Sequence, residues 1–156
     1  MRNLREIVIH CSATPEHMDV RAAEIRRWHI DQGWSDIGYH YVICRDGAIE
    51  NGRPVEKIGS HCKGHNRNSI GICLAGTRCF SKEQMDTLNK LVSKLSEDYE
   101  INKVVGHNYY DKHKECPCFD VIGWWSLQLL MKSQEKRLQS RSIFDRVWTW
   151  IITIFK

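Results

Sequence analysis

Residues Ser69-Ile70-Gly71-Ile72-Cys73-Leu74-Ala75 form an uninterrupted apolar run. A strand with one wet face alternates; a strand that never alternates is covered on both faces and sits at the centre of its sheet. The rest of the chain reads around it. Ile7-Val8-Ile9, within Glu6–Cys11, gives a second buried strand followed by a Ser12–Pro15 turn, and Lys103-Val104-Val105-Gly106 gives a third. Gly38-Tyr39-His40-Tyr41-Val42-Ile43 alternates as a strand does, and Arg45-Asp46-Gly47-Ala48 is a hairpin turn returning through Ile49-Glu50. Ala22, Ile25, Trp28 and His29 recur at helical spacing, with Asp19 or Thr14 as the expected cap, Gly33 as the stop and Trp28 read as core. Ser81 and Gln84 stand at capping-box spacing, and Leu88, Leu91, Val92 and Leu95 form the buried stripe of the helix they start. A last helix is expected after Pro117, from Phe119 through Trp124 and Leu127 to Leu130. Strands alternating with helices, with one hairpin among the connections, predict an α/β fold: a single domain with a central mixed β-sheet flanked by helices. Its ligand cleft should lie at one sheet edge, near strand ends.

Composition narrows the class. A chain of 156 residues, 42% hydrophobic, fits one globular domain. Residues 1–131 are expected to form it and 132–156 to be a basic, then apolar, C-terminal extension. Residues 1–131 hold 17 basic and 17 acidic side chains, whereas 132–156 hold six and two, so the net charge of +4 resides in the extension. A nucleic-acid binder carries a basic face on its folded body, so no nucleic-acid partner is expected. Seven cysteines at no recognisable disulfide spacing are expected as reduced thiols. The apolar run before His10 is only Ile7-Val8-Ile9, too short for the core of a signal peptide, so cytoplasmic synthesis without a signal is expected. Residues 141–156 end apolar and aromatic but fall short of a membrane span of about 20 residues. Trp148, Trp150 and the basic residues before them suit peripheral contact with a membrane, against the equal alternatives of folding back on the domain or self-association. The chain is otherwise read as a monomer.

Chemistry concentrates in one loop, His107 to Cys116, HNYYDKHKEC, between an apolar strand and Pro117. It offers an imidazole, basic side chains and a thiol, and His10 at the end of the first strand adds a second imidazole. A catalytic zinc takes three protein ligands from His, Cys or carboxylate and leaves a position for water, which makes His10, His107 and Cys116 a candidate set. The alternative for the same residues is a hydrogen-bonded histidine at a strand end and a small buried cysteine. No Glu stands in an HExxH context, so a thermolysin-like base is excluded.

Four stretches follow one another as they do in the type-2 N-acetylmuramoyl-L-alanine amidases, and the chain is more distantly similar to the peptidoglycan-recognition proteins. They are Ile9-His10-Cys11-Ser12-Ala13-Thr14, the stretch from Gly33 to Tyr41 (GWSDIGYHY), the loop from Gly59 to Gly71 (GSHCKGHNRNSIG), and Lys114-Glu115-Cys116-Pro117. The resemblance covers residues 6–126 and leaves the extension outside. It implies a zinc amidase that cleaves between the lactyl group of N-acetylmuramic acid and the L-alanine of the stem peptide, acting on the bacterial cell wall as endolysins do. The family's ligands map onto His10, His107 and Cys116, its catalytic side chains onto Tyr39 and Lys114, and its muramyl-peptide contacts onto His61, Lys63 and Asn66. In that scheme Tyr39 positions or deprotonates the attacking water and Lys114 stabilises the oxyanion. His40, on the opposite face of its strand, reads as structural. Two departures stand out. The step from His107 to Cys116 is one residue longer than in the usual relatives, which brings His113 into consideration near the metal, and Cys118 offers an alternative thiol. The wider superfamily also implies other classes, a non-catalytic peptidoglycan binder or an inhibitor of an RNA polymerase. Non-catalytic relatives commonly lack the cysteine ligand, so Cys116 favours the enzyme.

Overall fold

The computed structural model describes residues 2–154, with side chains described as far as Arg141. Five strands, β1 (Glu6–Cys11), β2 (Tyr41–Ile43), β3 (Ile49–Asn51), β4 (Ser69–Leu74) and β5 (Lys103–Gly106), pair in the order β3-β2-β4-β1-β5. The non-alternating run is the middle strand, β4, and all six of its residues are buried. It runs parallel to β1 and β2, β5 runs parallel to β1, and only the hairpin strand β3 is antiparallel, so the sheet is mixed as expected.

Residues paired in register share a face. His10 and Val42 both pair with Cys73, and Val8 pairs with Gly71, so these lie on one side of the sheet. There Val42, Cys44, Cys73 and Ala75 pack with Val20, Ala22, Ile25 and Ile37, and Trp28 of α1 (Ala22–Asp31) lies against the cluster. Ile7, Ile9, Ile70, Ile72 and Leu74 alternate to the other side and are fully buried. The layer opposite α1 is α2 (Lys82–Asp98), with Leu88, Leu91, Val92 and Leu95 buried as its stripe predicts. Ser81 caps it: Ser81 Oγ accepts from Gln84 N–H and Gln84 Oε1 accepts from Ser81 N–H, each at 3.1 Å.

Three expectations shift. The strand read from Gly38 begins at Tyr41, because the backbone just before it serves a loop: Gly38 O accepts from Ser60 N–H and Tyr39 O from Arg53 N–H. The N-cap of α1 is Arg21 rather than Asp19 or Thr14, with Glu24 accepting from Arg21 N–H at 3.0 Å while Asp19 pairs with the Arg21 guanidinium. The last helix, α3, starts at Val121 and continues to Ile154, far past Leu130. The chain divides into two compact units, Met1–Ile122, which holds the whole sheet, and Gly123–Lys156. Among the described residues no helix is long and apolar enough to cross a membrane. The side chains of residues 142–156, on which the expected membrane contact turns, lie outside the described residues.

Candidate metal centre

β1 and β5 are adjacent and parallel, with Ile9 opposite Gly106, so His10 and His107 leave the sheet side by side at the same end. Their ring centroids are 4.7 Å apart. Two backbone donors bring Cys116 to them from the following loop. Asn108 N–H donates to Cys116 O at 2.8 Å, and Cys11 N–H donates to Cys116 Sγ at 3.3 Å. Gly106 permits this close return of the chain: a Cβ there would stand 2.6 Å from both Asn108 Oδ1 and Pro117 Cδ.

One nitrogen of each histidine and the Cys116 sulfur lie within 4.8 Å of one another, and among the described residues this is the one such group of three. His10 Nδ1 is 3.9 Å from Cys116 Sγ. Tetrahedral zinc with ordinary N and S bond lengths sets that separation at about 3.5 Å, so this pair of donors already stands near the spacing the ion requires. Two imidazoles and a thiolate are also the right chemistry for such an ion. Both rings are held neutral, which is the ligating form. Burial, then the neighbouring His61 and His107, push the His10 pKa well below its ordinary value, and burial and the Lys114 ammonium lower that of His107. The alternative thiol and imidazole stand outside this group: Cys118 lies beside Cys11, and His113 is exposed, with its backbone N–H donating to Asp111 Oδ1.

The other expected residues fall in distinct places. The Tyr39 ring is 5.1 Å from His10 by centroids, at the edge of the site. Burial and the thiols of Cys73, Cys116 and Cys11 push its phenol well above the ordinary value. Lys114 is exposed and lines a cleft of about 600 Å³ with Arg78, Asn108, Lys112, Glu115 and Cys118. Lys63 is exposed on its loop, but His61 is only 8% exposed. His61 Nδ1 is 3.0 Å from His10 Nε2, and its Nε2 is 3.4 Å from Ser69 Oγ. Asn66 Oδ1 accepts from the backbone N–H groups of His61 (2.9 Å) and Cys62 (2.8 Å), folding the loop that carries them. His40 is buried as a structural residue, accepting from Gly71 N–H through Nδ1 at 2.9 Å. Sequence reasoning passed over Ser69 and Gly71. A glycine inside an otherwise bulky central strand was the available signal: a Cβ at Gly71 would stand 2.5 Å from the His61 ring.

Residues 1–119 match the family described as N-acetylmuramoyl-L-alanine amidase. The endolysin of Escherichia phage T7 is 42% identical over 135 residues, covering 81% of this chain and 89% of its own length. Among solved structures, the N-acetylmuramoyl-L-alanine amidase LysC from Clostridium intestinale superposes with a TM-score of 0.73 at 29% identity, covering 84% of this chain and 87% of that one. Peptidoglycan recognition protein LE, in complex with tracheal cytotoxin, superposes with a TM-score of 0.66 at 26% identity, each chain covered to 75%. With the matched segment spanning the whole sheet and every residue of the candidate centre, this chain belongs to the N-acetylmuramoyl-L-alanine amidase family.

Proposed function

We propose that this protein hydrolyses the amide bond between N-acetylmuramic acid and L-alanine in peptidoglycan, as a zinc enzyme of the bacterial cell wall, with His10, His107 and Cys116 as the ligands. The observation that carries the reading is the meeting of these three donors from β1, the end of β5 and the following loop. Zinc held there supplies Lewis acidity toward the scissile carbonyl and a water acidified toward neutral pH. The chain's own residues do the rest. Tyr39, beside His10, offers a neutral hydroxyl that both donates and accepts, and so orients the attacking water. Lys114, close enough to His107 to depress its basicity, places an ammonium where negative charge develops on the carbonyl oxygen. The adjoining cleft sets Arg78, Lys112 and Lys114 beside Glu115 and Asp120, with Arg78 paired to Glu115, so Lys112 and Lys114 are the cations offered to the carboxylates of a stem peptide, and Lys63 on the neighbouring loop serves the same ligand. His61 and Asn66 act on that loop from within.

The test is dye release from labelled peptidoglycan with zinc content measured in parallel. Wild type should release dye and hold one zinc, and Cys116→Ala should lose both. Wild type that binds zinc yet releases nothing would leave a peptidoglycan-binding protein in place of the enzyme. Cys116→Ala that keeps metal and activity would overturn the ligand set.

A further inference from the structure

We infer that His61 is a positioning residue for the metal centre: it holds His10 in the tautomer whose Nδ1 lone pair faces the metal. The inference rests on the zinc reading above and concerns a residue that would otherwise be taken for a substrate contact.

Ser69 has a single hydroxyl hydrogen, and Oγ donates it to His65 O at 2.7 Å. Toward His61 Nε2, 3.4 Å away, Ser69 Oγ is therefore an acceptor, and Nε2 carries the hydrogen. A neutral His61 then has a bare Nδ1, which accepts from His10 Nε2–H across 3.0 Å. His10 is left with its lone pair on Nδ1, the atom 3.9 Å from Cys116 Sγ. Running the relay in the opposite sense would take the hydroxyl from the His65 carbonyl and place an N–H of His10 toward Cys116 Sγ, where it blocks coordination. The His61 ring has little freedom to turn away. Gly71 lies beneath it and Gly59 beside it, with Cβ positions 2.5 and 2.7 Å from its carbons, and Asn66 Oδ1 holds its backbone N–H. Ligating histidines usually hand their second N–H to a carboxylate, a carbonyl or water. Here a second imidazole does that work, on a loop that also borders the exposed Lys63.

The experiment measures zinc affinity by competition with a chromophoric chelator for wild type, His61→Phe, His61→Gln and Ser69→Ala. Cobalt(II) absorption reports ligand geometry, and the melting temperature of each apoprotein reports folding. His61→Phe keeps the ring's bulk but accepts nothing from His10, and should weaken zinc binding about 10- to 100-fold with an altered cobalt spectrum. His61→Gln, whose amide can accept from His10 and donate to Ser69, should recover much of that loss. Ser69→Ala, which leaves the rings in place and removes the far acceptor together with the bond to His65 O, should show a smaller loss and carries the test if the Phe variant does not fold. Folded variants that bind zinc like wild type, or a Gln variant no better than Phe, overturn the role of His61. Wild type that binds neither zinc nor cobalt overturns the zinc reading itself, a distinguishable result.

Discussion

Lys114 is exposed, two residues before Cys116, and stands outside the buried core. Its loss should therefore be read in catalysis rather than stability. Lys114→Ala is expected to keep its zinc and melting temperature while kcat for peptidoglycan hydrolysis falls about a hundredfold, the usual effect of removing one oxyanion donor. Dye release at saturating substrate checks this, and an unchanged rate would remove Lys114 from the mechanism. His40 shows the opposite case, a residue whose whole effect is on folding. Burial holds its pKa at about 4 against an ordinary 6.5. Between those values the unfolded chain takes up a proton that the folded protein refuses. The contribution of His40 is thus complete above pH 6.5 and is lost as pH falls toward 4, amounting to about 3 kcal/mol. His40→Gln should be less stable at neutral pH yet lose less on acidification across that window, as urea midpoints at a series of pH values would show. Equal slopes would mean that other buried histidines dominate.

At the scale of elements, legibility tracked burial. β1, β4 and β5 were readable almost to the residue because strands covered on both faces must be continuously apolar. β2 was not, since the backbone of Gly38 and Tyr39 is spent on a loop, and no side-chain pattern records a carbonyl's partner. Gln84 shows both sides of this. Its cap with Ser81 follows from spacing, but its amide also donates to Ala75 O at 2.9 Å and Ile43 O at 3.2 Å, pinning α2 to two strand ends. Gln84→Ala takes the side-chain donor from Ala75 O, while Ile43 O keeps the Ala75 N–H, and should destabilise the fold by about 2–3 kcal/mol. Ser81→Ala, which removes the hydroxyl cap and its bond to Arg45 O but leaves the Gln84 bridge, should cost about 1 kcal/mol. Chemical denaturation of the two variants separates the roles, and equal losses would count against the bridging one.

The whole molecule depends on ties between segments far apart in the chain. The Arg2 guanidinium donates to the carbonyls of Val55 (2.6 Å), Lys57 (2.9 Å), Asn66 (2.6 Å) and Ser69 (2.8 Å), clasping the connection from β3 to β4 that carries His61. Arg2→Met should therefore lose about 3 kcal/mol of stability and speed amide exchange most through residues 55–69, beyond the loss that global unfolding imposes on the rest of the chain. Uniform exchange would show that Arg2 is not the clasp. Sequence by itself determined which runs had to be interior, where α2 starts, and, through motif resemblance, which histidines and cysteine to watch. Those properties are local, because apolar periodicity and capping act within a few residues. Only the tertiary structure decided that Cys116, rather than Cys118 or His113, stands with His10 and His107, and that His61 turns inward to His10. Both outcomes rest on hydrogen bonds and on glycine-permitted contacts between distant segments, and interactions of that range leave no periodic trace in a chain.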